Sequence, residues 1–418
     1  MSLAVSSLAL CAGPAAAQDA SAQAATNSIW TRPSLLDGPG WPKAGMRSDG
    51  VNLDVTLTQF GQELLSGDGN KAPEYGGKLD VVLTLDGQKL GLWPGLSLNV
   101  HQEFLYGNDA NYQGDGTFIP VNTAMAFPRQ GGADTQTSII VTQRFSPDVS
   151  LSLGKFNMLD AASRTPLIGG GGLDTFMNLG LAAPISGVTP PYILGGSLTV
   201  KTAPATFNLL VYDPRNAQDS AVLRYPFADG VTTSLSATVP ISLGGLPGFH
   251  SFRGVYSTQD GVDLRDVPQL ILPPGFPTMI GSKSHYWYVS YSFQQYLYRS
   301  PNDPRKGWGV FGEISASDGN PNPIDRHYFI GIGGNSPLPN RPDDGLGLAY
   351  FSYALSNELN QAAEPLGIEL GKENGVEAFY NVAITPWFRV TADIQDVSPF
   401  VRANARAVFG ALRTQIRF

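Results

Sequence analysis

The chain has 418 residues, with 27 Lys+Arg against 35 Asp+Glu, 48 glycines, 32 prolines and a formal net charge of −8. So few charges and so many helix breakers exclude long amphipathic helices, while 42% hydrophobic residues exclude the disorder that follows from low hydrophobicity and high charge. The acidic balance argues against nucleic acid as a partner, because phosphate-backbone binders carry a basic face, and the length suits two or three ordinary domains or one large β architecture.

Leu3 to Gly13 is a short apolar stretch followed by Pro14-Ala15-Ala16-Ala17, which predicts a signal peptide over residues 1–17 with an A-x-A cleavage site. The basic n-region usual in such leaders is missing, which points to a start codon further upstream. Cys11, the only cysteine, lies in this leader. Lipoprotein processing there is disfavoured because it requires a small residue before the cysteine, and Leu10 is not small. The mature chain then has no disulfide to stabilise it. Residues 18–50 are expected to form a lead-in and residues 51–418 a single domain. No later stretch approaches 18 consecutive apolar residues, so no transmembrane helix is predicted.

Val51 to Gln59 alternates strictly, with Val51, Leu53, Val55 and Leu57 on one face and Asn52, Asp54, Thr56 and Thr58 on the other, the period of a β-strand. The same alternation recurs in Leu79/Val81/Leu83/Leu85 against Lys78/Asp80/Thr84/Asp86, and in Leu96/Leu98/Val100 against Ser97/Asn99/His101 and Glu103. It returns in Val376/Ala378/Tyr380/Val382/Ile384 against Glu377/Asn381/Thr385 and in the segment from Phe388 to Gln395. Roughly seventeen such segments follow residue 50, too many for one sandwich. Short turns at Ser146–Asp148, Thr202–Ala205 and Leu243–Gly248 separate long loops at Tyr106–Gln136, Asn157–Gly195, Asp213–Thr232 and Ser257–Ser284. That regularity blurs after residue 300. The last segment places Val408, Gly410, Leu412, Thr414, Ile416 and Phe418 on one parity, and Phe409, Arg413, Gln415 and Arg417 on the other.

In lipid every backbone amide must be paired internally, so an exported chain of many alternating strands crosses a membrane only as a closed barrel. The expected fold is an all-β, transmembrane, antiparallel up-and-down β-barrel of sixteen strands, with eighteen as the alternative. Either number leaves an aqueous channel. Apolar parity would face lipid and polar parity water, in keeping with a mean hydropathy of −0.07. Aromatic residues from Trp287 to Tyr353 gather near predicted strand ends, with at least a few facing inward. The final strand ending at Phe418 is of the kind the barrel assembly machinery reads.

Motifs for chemistry are mostly missing. The four histidines, His101, His250, His285 and His327, are scattered rather than spaced as zinc ligands. The glycine-rich run 169–172 lacks the Lys-Ser/Thr of a P-loop, and Pro323 and Phe329 stand where a calcium loop beginning at Asp318 needs Gly and Glu. No metal and no cofactor is expected, and the chain is read as no enzyme. An exported β-rich hydrolase stays open, because the separation of a carboxylate pair belongs to the fold. A structural adhesin stays open too.

Gly154-Lys155-Phe156-Asn157-Met158-Leu159-Asp160 with Asn178 downstream, Glu377-Ala378-Phe379-Tyr380-Asn381 through Thr385-Pro386-Trp387, and Arg47-Ser48-Asp49-Gly50-Val51 resemble the carbohydrate-selective porins of the OprB type. The likeness runs from about residue 40 to Phe418. It implies a sixteen-stranded outer-membrane barrel that admits neutral sugars by diffusion through a channel narrowed by inward-folded loops; a porin for other solutes is the alternative. The implied surroundings are the lipid bilayer and lipopolysaccharide, and monomer and homotrimer both remain open. Sugar selection needs fixed donors and acceptors of both signs and aromatic faces. On that basis Glu103, Arg129, Lys155, Asp160 and Arg164 are expected to line the constriction, with Tyr106 or Phe127 as stacking platforms. Counted from Val149, Lys155 falls on the apolar parity unless Gly154 marks a bulge.

Overall fold

The computed structural model describes residues 28–418 except 39, 130–131, 219–222, 272–279 and 302; the expected leader lies outside the described residues. Sixteen strands form one sheet: β1 (Val51–Ser66), β2 (Glu74–Asp86), β3 (Leu96–Gly107), β4 (Thr135–Arg144), β5 (Val149–Asn157), β6 (Tyr192–Lys201), β7 (Thr206–Tyr212), β8 (Thr232–Leu243), β9 (Leu246–Val262), β10 (Ser282–Arg299), β11 (Gly307–Ser317), β12 (Ile324–Asn335), β13 (Gly345–Leu355), β14 (Lys372–Ala383), β15 (Phe388–Ser398) and β16 (Ala407–Arg417). Each pairs antiparallel with its sequence neighbours, and β1 pairs with β16 from Thr56↔Arg417 to Ser66↔Val408, so the sheet closes and leaves no free edge.

Both ends of the sheet sequence, Val51 and Arg417, lie at one end of the barrel, here the near end. Turns such as 145–148, 202–205 and 244–245 also lie there, and the long connections 108–134, 158–191, 213–231 and 263–281 leave the far end. The alternation of sides persists after residue 300. It blurs in sequence because the near-end turns 300–306 and 336–344 are as long as or longer than the far-end connection 318–323. Two long loops are shorter than their sequence bounds, since Tyr192–Leu194 complete the pairing with β5 and β9 continues to Val262.

The outward parity is apolar and open: Leu153, Leu235, Ile314, Ile330, Ile394 and Leu412 are all more than half exposed. A belt of that size around a closed sheet is a lipid-facing surface. Two stretches of the inward parity differ in character. On β1–β3 and β16 it is polar, with Thr58, Lys78, Asp80, His101, Glu103, Arg413 and Gln415 buried. On β11–β14 it carries Phe311, Phe329, Phe351, Tyr353 and Phe379, also buried. Phe311, Phe351 and Tyr353 are among the aromatics between Trp287 and Tyr353, a few of which were expected to face inward. Loops 108–134 and 158–191 fold into the barrel and pack Ile119, Val121, Phe127, Phe176, Leu179 and Ile185 against that aromatic stretch in one apolar cluster, which removes the apolar area from water.

Candidate channel constriction

Two glutamates four residues apart on β14 set the inward loops. Glu373 accepts hydrogen bonds from the backbone N–H groups of Phe118 and Ile119, both 2.9 Å. Glu377 accepts from Met177 N and, at 3.0 Å, from Asn178 N. Neither glutamate is exposed. A four-residue interval in a strand keeps both on the inward face, so one strand fastens one loop per glutamate. Asn178 extends the second anchor: its Oδ1 accepts from Gly180 N at 2.9 Å, capping the short helix Leu179–Ala182, and its Nδ2 donates to Gln395 Oε1 at 3.0 Å. Phe176 packs edge-on to Phe379 (4.9 Å, 87°) and Phe311 (5.7 Å, 73°). Gly347 makes room for it, since a Cβ there would meet Phe379 at 2.4 Å and Phe176 at 2.6 Å. Arg413 on β16, two strands along the sheet from β14, donates to Gly172 O (2.7 Å) and Thr175 O (2.9 Å).

Loop 158–191 is thereby held facing the polar wall, and between them is a recess of about 290 Å³. Lys78, Asp80 and His101 line it from the strands, Asp160, Ser163, Gly170–Gly171 and Asp174 from the loop, and Thr56, Gln415 and Arg417 from the closing pair β1 and β16. Lys78 Nζ lies 2.7 Å from Glu103 Oε1 and 3.1 Å from Asp80 Oδ1. His101 bridges wall and loop, with Nε2 2.9 Å from Asp80 Oδ1 and Nδ1 2.9 Å from Asp160 Oδ2. Arg417 Nη2 reaches Asp174 Oδ1 at 2.7 Å, a second bridge across the gap, with both side chains about two-fifths exposed. Donors and acceptors of both signs therefore face one narrow space. The donor atoms of Asp80, His101 and Glu103 lie within 4.8 Å of one another, a spacing that suits a cation, and the ammonium of Lys78 is the cation between two of them.

The expected site residues separate. Asp160 lines the recess, on the helix Met158–Ala162 capped by Asn157 Oδ1, which accepts from Leu159 N at 2.9 Å. Glu103 is wholly buried behind it, bound to Lys78, to Asn157 Nδ2 (3.0 Å) and to the Tyr192 hydroxyl (2.8 Å); it positions those groups rather than meeting solute. Lys155 is buried too, donating to Gln136 Oε1 at 2.5 Å and Gln218 O at 2.8 Å. The bulge considered for Gly154 is not there: the register Ile140↔Gly154, Ile139↔Lys155 is continuous. Gly154 instead takes φ +143°, and a Cβ would stand 2.1 Å from Ile139 O. That conformation, which glycine tolerates, lets Lys155 turn in from the apolar parity. Arg129 pairs with Asp134 (3.0 Å) and Asp109 (3.7 Å) within its own loop, and Arg164 is exposed beyond the helix; neither lines the recess.

Both stacking platforms require correction. Tyr106 shares the parity of Phe104 on β3, and both are exposed on the outer face, where Tyr106 meets Tyr75 edge-on at 6.4 Å. Its ring belongs to the far-end aromatic girdle with Tyr256, Trp287 and Tyr328, all exposed. Phe127 is fully buried in the apolar cluster and presents no face to solute. Lys78, Asp80, His101, Asp174 and Arg417 were missing from the sequence expectation. Inward parity marks Lys78, Asp80, His101 and Arg417; no local pattern marks Asp174, a loop residue. His327 is an internal group, with Nε2 3.1 Å from Glu313 Oε1 on β11 and its ring stacked on Tyr353 at 4.7 Å.

Residues 70–418 match the family described as carbohydrate-selective porin, OprB family. Porin B of Pseudomonas aeruginosa is 24% identical over 168 residues, which span 36% of this chain and 36% of that protein's length. The solved high-pH structure of Pseudomonas putida OprB covers 94% of this chain and 100% of its own, with TM-score 0.80 and 17% identity. The low-pH structure of the same protein covers 93% and 99%, with TM-score 0.54 and 14% identity. The closed sixteen-stranded fold agrees with that match over most of the sequence, and the chain belongs to the carbohydrate-selective porin, OprB family, of bacterial outer-membrane β-barrels.

Proposed function

We propose that the barrel conducts neutral carbohydrates passively, selecting them at the recess between loop 158–191 and the β1–β3/β16 wall. The observation that carries this reading is the mixture of groups there: Asp80, Asp160 and Asp174 accept, Lys78, His101 and Arg417 donate, and Thr56 and Ser163 do either. A ring of one sign would favour ions of the other sign, whereas paired signs exchange bonds with hydroxyls as a sugar sheds water. No Phe, Tyr or Trp is among the described residues lining the recess, so selection rests on hydrogen bonds. By the convention of such barrels the near-end turns face the periplasm and the long loops the outside. On the same reading β16 is the segment the barrel assembly machinery engages.

Liposome swelling tests this with the heat-modifiable protein, comparing monosaccharides with uncharged non-sugar solutes of equal size. Faster sugar uptake is expected. Equal rates would reduce the function to general diffusion, and absence of swelling would refute a porin.

A further inference from the structure

We propose that the channel carries a second carbohydrate-binding station at its near end, built by the lead-in segment against the inward face of β1. It rests on the sugar-porin reading above. The lead-in is fastened to the barrel at several points: Leu35 N donates to Arg417 O (2.8 Å), Trp387 Nε1 to Ile29 O (2.6 Å), and Lys43 Nζ to Phe418 O (2.5 Å) and Ser34 Oγ (3.1 Å). Arg47, on the helix Lys43–Ser48, donates through Nε to Asn52 Oδ1 at 3.0 Å and lies 3.2 Å from Asp37 Oδ1. Residues so tied form a fixed wall.

The space they enclose is a recess of about 530 Å³ lined by Asp37, Lys43, Arg47, Asn52, Asp54 and Arg417 among others, within the size range of small-molecule sites. Its chemistry repeats that of the constriction, with carboxylates, an ammonium, two guanidiniums and an amide converging on one space. The Arg47 and Asp54 side chains are 39% and 53% exposed, so they keep hydrogen-bonding capacity for hydroxyls. Asn52, Asp54 and Thr56 alternate along the inward face of β1, and Thr56 pairs with Asp80 on one side and Arg417 on the other. Thr56 and Arg417 line both recesses. From Asn52 to Thr56 is about 13 Å at 3.3 Å per residue, a step on the scale of one or two sugar rings. Two stations sharing Arg417 let a solute gain bonds at the second as it loses them at the first, and multiple modest sites permit release where one deep site would trap.

Maltose-induced current noise from single channels in planar bilayers tests this. Two relaxation components are expected in the wild type. Arg47→Ala/Asp54→Asn should shorten the dwell of one component at least tenfold, and Asp160→Asn should shorten the other. Heat-modifiable migration confirms folding, and Asp54→Asn alone is read in the same way where the double variant does not fold. One component in the wild type, or two that Arg47→Ala/Asp54→Asn leaves unchanged, overturns the second station while the sugar porin stands. No sugar-induced noise in the wild type overturns both.

Discussion

Replacing Glu377 by Ala removes the carboxyl group that receives Met177 N–H and Asn178 N–H, both inside the apolar packing of loop 158–191. A buried donor left without an acceptor costs about 1–3 kcal/mol, so the two together weaken the docked loop by about 2–6 kcal/mol. At a factor of ten per 1.4 kcal/mol, the ratio of undocked to docked loop rises by at least about thirtyfold. Phe176 and Arg413 still hold the loop, so docking weakens without being abolished. Hydrogen exchange at residues 176–180 reports the ratio directly, and protection there should fall by the same factor. In liposome swelling the variant should admit larger oligosaccharides and discriminate less between sugars and other solutes. Glu373→Ala should instead deprotect residues 118–119, leaving 176–180 close to wild type, because each glutamate serves a different loop. Protection at 176–180 within threefold of wild type in Glu377→Ala, with unchanged discrimination, would refute the anchoring argument.

Lys78→Met leaves the carboxyl groups of Asp80 and Glu103 without their ammonium, and breaking a buried ion pair from one side costs about 3–5 kcal/mol; the urea midpoint of the heat-modifiable band should fall accordingly, and an unchanged midpoint would contradict the network. Gly154→Ala meets Ile139 O and a φ of +143°, a strain of about 1–3 kcal/mol that should lower stability and loosen Lys155, visible as reduced protection around Gln136. Asp344, in the near-end turn 336–344, is buried, which by itself would raise its carboxyl, but Arg341, the Tyr380 hydroxyl and Ala383 N–H together hold it below the ordinary carboxylate value. A lowered value in the folded state means that this stabilisation is complete above the unfolded value near pH 4 and is lost as pH falls through the folded one. Asp344→Asn should therefore be about 1–3 kcal/mol less stable than wild type at neutral pH, with the gap closing below pH 4 in urea titrations; a gap that does not change with pH would count against it.

Alternation by itself determined the strands and their two faces, because successive side chains of an extended backbone point to opposite sides whatever the rest of the chain does. Val51–Gln59 shows lipid and lumen faces before any contact is known, and the closing strand already turns Arg413 and Arg417 inward. The motif Gly154–Asp160 likewise marked where the constriction loop begins. Which inward residues meet was decided only by the tertiary structure. Parity does not distinguish the aromatic stretch of β11–β14, against which the loops pack their apolar residues, from the polar stretch of β1–β3 and β16, which lines the recess. Glu103 looked like a lining residue by parity, yet the approach of Lys78, Asn157 and Tyr192 from three strands or their ends sealed it. Asp160 and Asp174 became site residues because Glu377, Asn178 and Phe176 anchor their loop through contacts some two hundred positions apart in sequence. A strand's period is fixed by its own backbone, whereas the landing place of a long loop depends on partners remote in sequence, and no local pattern encodes those.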